Sequence, residues 1–174
     1  LATTVAAVGL LWVLLSYLTA VVLSERLETR MVRRARRLHD HVVVVGLGRV
    51  GYRVVRLLLD LDIPAVAVER DAESRFVEAV GYHTPVVTGD GRLAETLLRA
   101  GADQARCVIA CANDDLANLV TCAEARKLNP EVRTVSHTFD DRLVEHLGAA
   151  FRVDRSISSN RFAVSAFLGA AVDE

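Results

Sequence analysis

The sequence predicts an α/β fold, a doubly wound parallel sheet of six strands, preceded by one transmembrane helix. Three observations predict it. The first 24 residues carry no charge, short apolar runs alternate with helical stretches from His41 onward, and a glycine-rich turn follows the first of those runs. Strands alternating with helices of this length favour a parallel sheet with helices on both faces.

Residues 1–24, LATTVAAVGLLWVLLSYLTAVVLS, lack both charge and proline. As a helix they would span about 36 Å at about 1.5 Å per residue, more than a hydrocarbon core of about 30 Å. Trp12 falls mid-span, which predicts a protein-facing side chain. A signal peptide would carry its positive charges ahead of the apolar core. Here Arg26, Arg30, Arg33, Arg34, Arg36 and Arg37 follow it. The positive-inside bias therefore assigns residues 25–174 to the cytoplasm, beneath an inner or plasma membrane. Residues 25–40 form a basic juxtamembrane linker, either a solvated helix or a contact to anionic lipid. With Leu1 in place of an initiating Met, the chain reads as part of a longer polypeptide.

Residues 41–155 are expected to form one α/β domain. HVVVVG (41–46) is a fully apolar strand, and RVGYRVVRLLLDL (49–61) has helical spacing. Val50, Val54, Leu57, Leu58 and Leu61 are expected to make its one buried face. IPAVAVE, TPVVTGD, ARCVIAC and VRTVSH read as the next four strands, and AFRV (150–153) as a short sixth. DAESRFVEAVG, RLAETLLRAG, DDLANLVTCAEARKL and DRLVEHLG (141–148) are the intervening helices. Residues 156–174 form a last, largely apolar helix through Phe162, Val164, Ala166, Phe167 and Ala170. It covers its own sheet, unless it is the crossover or dimerisation helix that the family resemblance given below implies.

Composition removes several function classes. The formal net charge is −1, so no global basic field points to nucleic acid. Cys107, Cys111 and Cys122 lie in apolar stretches without metal spacing and read as reduced core thiols. The five histidines are scattered, so no metal site is expected.

Gly46, Gly48 and Gly51 give G-x-G-x-x-G directly after the first strand, the Rossmann-like arrangement. The first glycine permits a tight turn, the second a close approach to pyrophosphate, the third close helix–strand packing. Phosphates would meet the free N–H groups and positive dipole end of the following helix. Leu47, Arg49 and Val50 belong to the same turn. Glu69, ending the second strand, is placed for ribose hydroxyls, with Arg70 and Asp71 beside it. Its charge disfavours a 2′-phosphate, so NAD(H) or an adenosine nucleotide (ATP, ADP, AMP) is expected rather than NADP. Thr88, Gly89 and Asp90 end the third strand, and Ala112 and Asn113 follow the fourth, at the same carboxyl edge. Asp90 either accepts from an adenine amino group or caps the next helix. Asn113 or Asp114 is either a ligand contact or an N-cap.

VVVVGLGRVGYRV, AVAVERD, VVTGDGRLAETLLRAGADQARCVIACANDDLANL and HLGAAFRV together resemble the RCK (regulator of K⁺ conductance) domain, or Trk-type NAD-binding domain, over about residues 41–153. The resemblance implies a cytoplasmic ligand sensor, assembled as dimers or higher rings, that gates a potassium channel or transporter in cis. It implies that Gly46, Gly48, Arg49 and Gly51 hold phosphates, that Glu69 takes a ribose with Asp71 beside it, and that Gly89 and Asp90 border the adenine. Asn118 would support this region rather than touch ligand. Gly91 stands where the family often has Ala or Ser, and His137 where it often has Arg. A cation/proton antiporter is the alternative membrane partner. The alternative from another class, a membrane-tethered NAD-dependent oxidoreductase, needs a proton donor near the nicotinamide. Only His137 stands at a strand's carboxyl end, so no catalytic residue is assigned.

Overall fold

The computed structural model describes residues 2–140, 142, 150–158, 160, 164, 167–168 and 170–171, with side chains over the same residues apart from 2–10 and 20–25. The order is α1 (Ala2–Ala35), β1 (Val42–Val45), α2 (Arg49–Asp60), β2 (Ala65–Glu69), α3 (Arg75–Gly81), β3 (Val86–Thr88) and α4 (Ala94–Arg99). A 3₁₀ turn (Ala102–Gln104), β4 (Cys107–Ala110), α5 (Asp115–Leu128), β5 (Arg133–Thr138) and β6 (Arg155–Ser158) follow. The six strands form one sheet in the order β3-β2-β1-β4-β5-β6, and every pairing is parallel. The order reverses between β1 and β4, the switch point at which open α/β sheets bind ligands.

β1 and β2 are apolar on both faces because both faces are covered. Val43, Val45, Val66 and Val68 pack with Leu97, Ala100 and Ala125 on one side. Val42, Val44 and Ala67 pack with Leu47, Val55 and Val80 on the other. Two expectations shift. The face of α2 that meets the sheet carries Gly51 and Val55, with Tyr52, Val54, Leu58 and Leu59 partly covered, while Val50, Leu57 and Leu61 are exposed. The physical reason is Gly51. A Cβ there would stand 1.9 Å from the Gly46 carbonyl oxygen, so the helix rests on the turn at this point and its rotation follows. The sixth strand lies at Arg155–Ser158 rather than over 150–153, because Arg152 adopts a left-handed φ of 52° that ends any extended run there. The helix expected over 141–148 and most of the tail helix fall outside the described residues. The described tail residues Val164, Phe167 and Leu168 are helical and exposed.

α1 has two characters. Over Leu11–Leu18 its large side chains, Trp12 included, are all more than half exposed. Among the described residues no helix is long and apolar enough to cross a membrane. The carboxyl end of α1 docks along β3, the edge strand. Ala35 is fully buried in the core, and Val32 and Leu38 pack against it. Arg34 donates to the His83 carbonyl at 3.1 Å, and Arg36 donates to the Leu98 carbonyl at 3.0 Å and pairs with Asp103. Arg26, Arg30, Arg33 and Arg37 recur at i, i+4, i+7 and i+11, are all exposed, and so line the opposite face.

Candidate nucleotide site

The turn after β1 is built around its glycines. Gly46 has φ 92°, and a Cβ on it would strike the Ala112 backbone at 2.8 Å. Gly46 and Gly51 are therefore required by the fold itself. Gly48 is different. Its φ is −75°, which any residue adopts, and a Cβ on it would meet only Asn113 Oδ1, at 3.8 Å. The chain leaves that space open at the N-terminus of α2, where no side chain caps the free N–H groups.

Glu69 ties this turn to the end of β2. Its carboxylate accepts from the Leu47 N–H at 2.6 Å, the Arg70 N–H at 2.9 Å and the Asp71 N–H at 3.1 Å. An ionised carboxylate has about four acceptor positions, so about one remains for a ligand hydroxyl.

At the end of β3, Asp90 is held by Arg92 through its backbone N–H (2.9 Å), Nε (3.0 and 3.1 Å) and Nη2 (2.6 Å). These bonds, the side-chain ones first, pull the Asp90 carboxyl down to about 2 against the opposing effect of partial burial. The capping alternative fails for Asp90, because Leu93 is the residue at the N-cap of α4 and no side chain caps it. Asp114 does cap, accepting from the Ala117 N–H at 2.9 Å at the start of α5, which leaves Asn113 exposed on the cleft.

Asn118 is fully buried and clamps the ends of β4 and β5. Its Oδ1 accepts from the Ala112 N–H at 2.8 Å, and its Nδ2 donates to the carbonyls of Ala112 and His137, each at 2.9 Å. Gly91 is explained by packing, since a Cβ there would lie 2.2 Å from Val45 Cγ1 at the end of β1. Burial pushes the Cys111 thiol up to about 11 and Cys122 to about 12, as core thiols require.

These loops surround a cleft of about 410 Å³. Gly46, Leu47, Gly48, Glu69, Arg70, Asp71, Gly89, Asp90, Ala112 and Asn113 line it; Arg49, Val50, Gly51 and Thr88 do not. Arg49 and Val50 start α2 and are exposed, Gly51 faces the Gly46 carbonyl, and Thr88 precedes the lining residues of its loop. Sequence reasoning missed Ser74, Phe76, Arg92 and Thr121, which also line the cleft. Arg92 had a signal, an acid two residues earlier. Phe76 had none, because α3 alone does not reveal that it leans over the β2 loop.

Residues 42–159 match the TrkA-N domain. The chain belongs to the TrkA-N domain family. Among relatives, this TrkA-N chain is 32% identical to a putative K(+) efflux antiporter KefB of Alkalimonas amylolytica over 113 residues, 65% of the chain and 17% of the antiporter. It is 25% identical to the probable potassium channel protein 2 of Methanocaldococcus jannaschii over 150 residues, 82% of the chain and 44% of the channel. The chain thus spans less than half the length of either relative. Among solved structures, GsuK bound to ADP superposes with a TM-score of 0.62 at 27% identity, covering 82% of this chain and 37% of GsuK. A GsuK channel bound to NAD has the same fold, with a TM-score of 0.59 at 19% identity over 69% of this chain and 21% of that one.

Proposed function

We propose that the TrkA-N domain is a nucleotide-sensing regulatory module that gates a potassium channel or transporter in cis. The observation that carries the reading is Gly48. The protein's own packing leaves room for a side chain there, so the glycine is explained by something that approaches the turn from the cleft, as a pyrophosphate would. Glu69, with about one acceptor position free, suits a ribose hydroxyl and not a 2′-phosphate. The ligand class is therefore NAD(H), ATP, ADP or AMP, and GsuK, solved with ADP and with NAD, supports it. Gly46, Gly48, Glu69, Gly89, Asp90 and Asn113 are the assigned contacts, with Leu47, Arg70, Asp71 and Ala112 around them. Gly51 and Thr88 support the loops from behind, and Arg49 and Val50 stand exposed beside the turn at the start of α2.

The module is read as non-enzymatic. No His, Lys or Tyr lines the cleft among the described residues, and Cys111 is kept protonated by burial. His137, the earlier candidate donor, is buried with its ring edge on Phe139 at 4.6 Å.

Membrane attachment belongs to the same reading. Exposed apolar side chains all round Leu11–Leu18 suit lipid or other helices, not water. Residues 1–24 are assigned as one span, 25–40 as its cytoplasmic flank with the arginine stripe toward anionic lipid, and 41 onward as the sensor. Exposed Val164, Phe167 and Leu168 favour a tail helix that packs on a neighbouring copy, in a dimer or ring. The antiporter relative, at 32% identity, favours a second reading in which the partner is a cation/proton antiporter.

The test is titration calorimetry of the full chain in detergent with NADH, NAD⁺, ATP, ADP and AMP, alongside Gly48→Val. Truncation at residue 39 is unsuitable because Ala35 belongs to the core. Micromolar binding of one nucleotide, lost in the folded variant, is expected. No heat with any of them from folded protein would overturn the reading.

A further inference from the structure

The carboxyl end of α1 is tied to α4 in two places that differ in what stands behind them. Arg36 reaches the Leu98 carbonyl and Asp103, neither of which lines the cleft. The second tie is Arg99, the last residue of α4, which points two ways. Its Nη2 pairs with Glu28 on α1, and its Nη1 donates to the Thr88 carbonyl at 3.3 Å. Thr88 ends the edge strand β3, and the next residue, Gly89, lines the nucleotide cleft.

The same loop also leans on α4 through its neighbour. A Cβ on Gly89 would lie 2.7 Å from Thr96 Oγ1, so loop and helix are already in close contact, and the Gly89 N–H is held by the Glu69 carbonyl at 2.9 Å. A ligand that shifts residues 89–91 therefore carries the Thr88 carbonyl with it and loads α4 at both points. Arg99 thus bonds both the residue that leads into this loop and α1.

We propose that Arg99 is a positioning residue that passes occupancy of the cleft to α1; this rests on the nucleotide-sensing reading above. Arg99 bridges Thr88 and Glu28 and holds α1 on the edge strand. With the loop moved by nucleotide, the guanidinium loses its geometry to one partner, and the docked state of α1 gains or loses that pair. Arg99 and Glu28 are 30% and 45% exposed, so the pair is weak enough to be broken by a ligand. A pair of this exposure biases docking by roughly 1.4- to 5-fold. An equilibrium moves only through such differential contacts.

The experiment is hydrogen exchange on peptides covering residues 26–38 of the full chain in nanodiscs, with and without each of NADH, NAD⁺, ATP, ADP and AMP, for wild type, Arg99→Gln, Glu28→Gln and Arg36→Gln. The wild type should change exchange over 26–38 by roughly 1.4- to 5-fold on nucleotide addition. Arg99→Gln and Glu28→Gln should bind nucleotide within about twofold of wild type yet lose that change. Arg36→Gln should raise exchange with and without nucleotide and keep the change. A nucleotide response that survives Arg99→Gln, or a wild type that binds nucleotide without any response in 26–38, overturns the coupling role alone. Failure of the wild type to bind any of the five nucleotides overturns the functional reading and this inference with it.

Discussion

At the ends of β1, β2 and β3 the chain turns away from the sheet through Gly46–Gly48, Glu69–Asp71 and Gly89–Arg92, and these turns stand apart around a cleft of about 410 Å³. At the end of β5 the same kind of turn is tied to the start of α5. The Asp115 carboxylate accepts from the Phe139 N–H at 2.9 and 3.0 Å and from the Asp140 N–H at 2.9 Å. Asn118 holds the His137 carbonyl, and the His137 ring packs edge-on against Phe139. Both halves are built from the same strand–helix repeat. The first leaves backbone N–H groups and a carboxylate facing an opening, and the second spends them on itself. Repetition of the fold therefore does not repeat these turns, and the cleft of the first half has room for an adenylate moiety.

The most damaging way to break the open half is from beneath. Gly51→Ala drives a Cβ into the Gly46 carbonyl and is expected to cost about 3 kcal/mol, read as a lowered urea midpoint with unchanged slope. The matching test on the closed half is Asn118→Ala, which strands the Ala112 and His137 groups it satisfies. A loss of about 2 to 3 kcal/mol is expected in the same unfolding experiment.

Gly48→Val separates site from fold. Nucleotide affinity should fall roughly 10- to 100-fold as charge-assisted bonds at the turn are blocked. Stability should stay within about 0.5 kcal/mol, because a Cβ there meets only Asn113 Oδ1, an exposed side chain, at 3.8 Å. Equal losses of stability and affinity would show that the space at residue 48 is structural.

Competition sharpens the contrast between halves. If only the first half binds, AMP should displace NADH with an affinity within about tenfold of its own, a difference of about 1.4 kcal/mol. A preference for NADH beyond about 100-fold would mean that the β5 edge opens to take the second nucleoside.

The smallest effect concerns the rim. Asp90 has a folded-state value of about 2, below its ordinary 3.8, so the folded chain binds fewer protons there than the unfolded one. Its contribution is complete above about pH 4 and is lost as pH falls toward 2. With Arg92 half exposed, screening limits it to about 1 kcal/mol or less. Asp90→Asn should remove that part of the acid dependence, seen by comparing urea midpoints at pH 5 and pH 2.5.

Much of this was legible in advance. Four consecutive valines can be buried only between two helical layers, and the spacing of glycines and Glu69 placed the first half of the cleft. Phe76 was not legible, since its position depends on how α3 folds against the edge of the cleft. The face of α2 was misjudged for a related reason. Hydropathy favoured the stripe through Val50, Leu57 and Leu61, but contact of Gly51 with a backbone carbonyl outranks it, because an atom cannot occupy the space of another at any gain in apolar burial.

The order of strands and helices, the glycine turn and the acid at the end of β2 are local matters of periodicity and backbone conformation, and the sequence by itself determined them. Which half of the carboxyl edge stays open was decided only in three dimensions. So was the docking of α1 on β3, where Ala35 enters the core and Glu28 meets Arg99 from 71 residues away. Such pairings join positions that share no local pattern, and only the packed sheet sets the distances at which their hydrogen bonds and charges act.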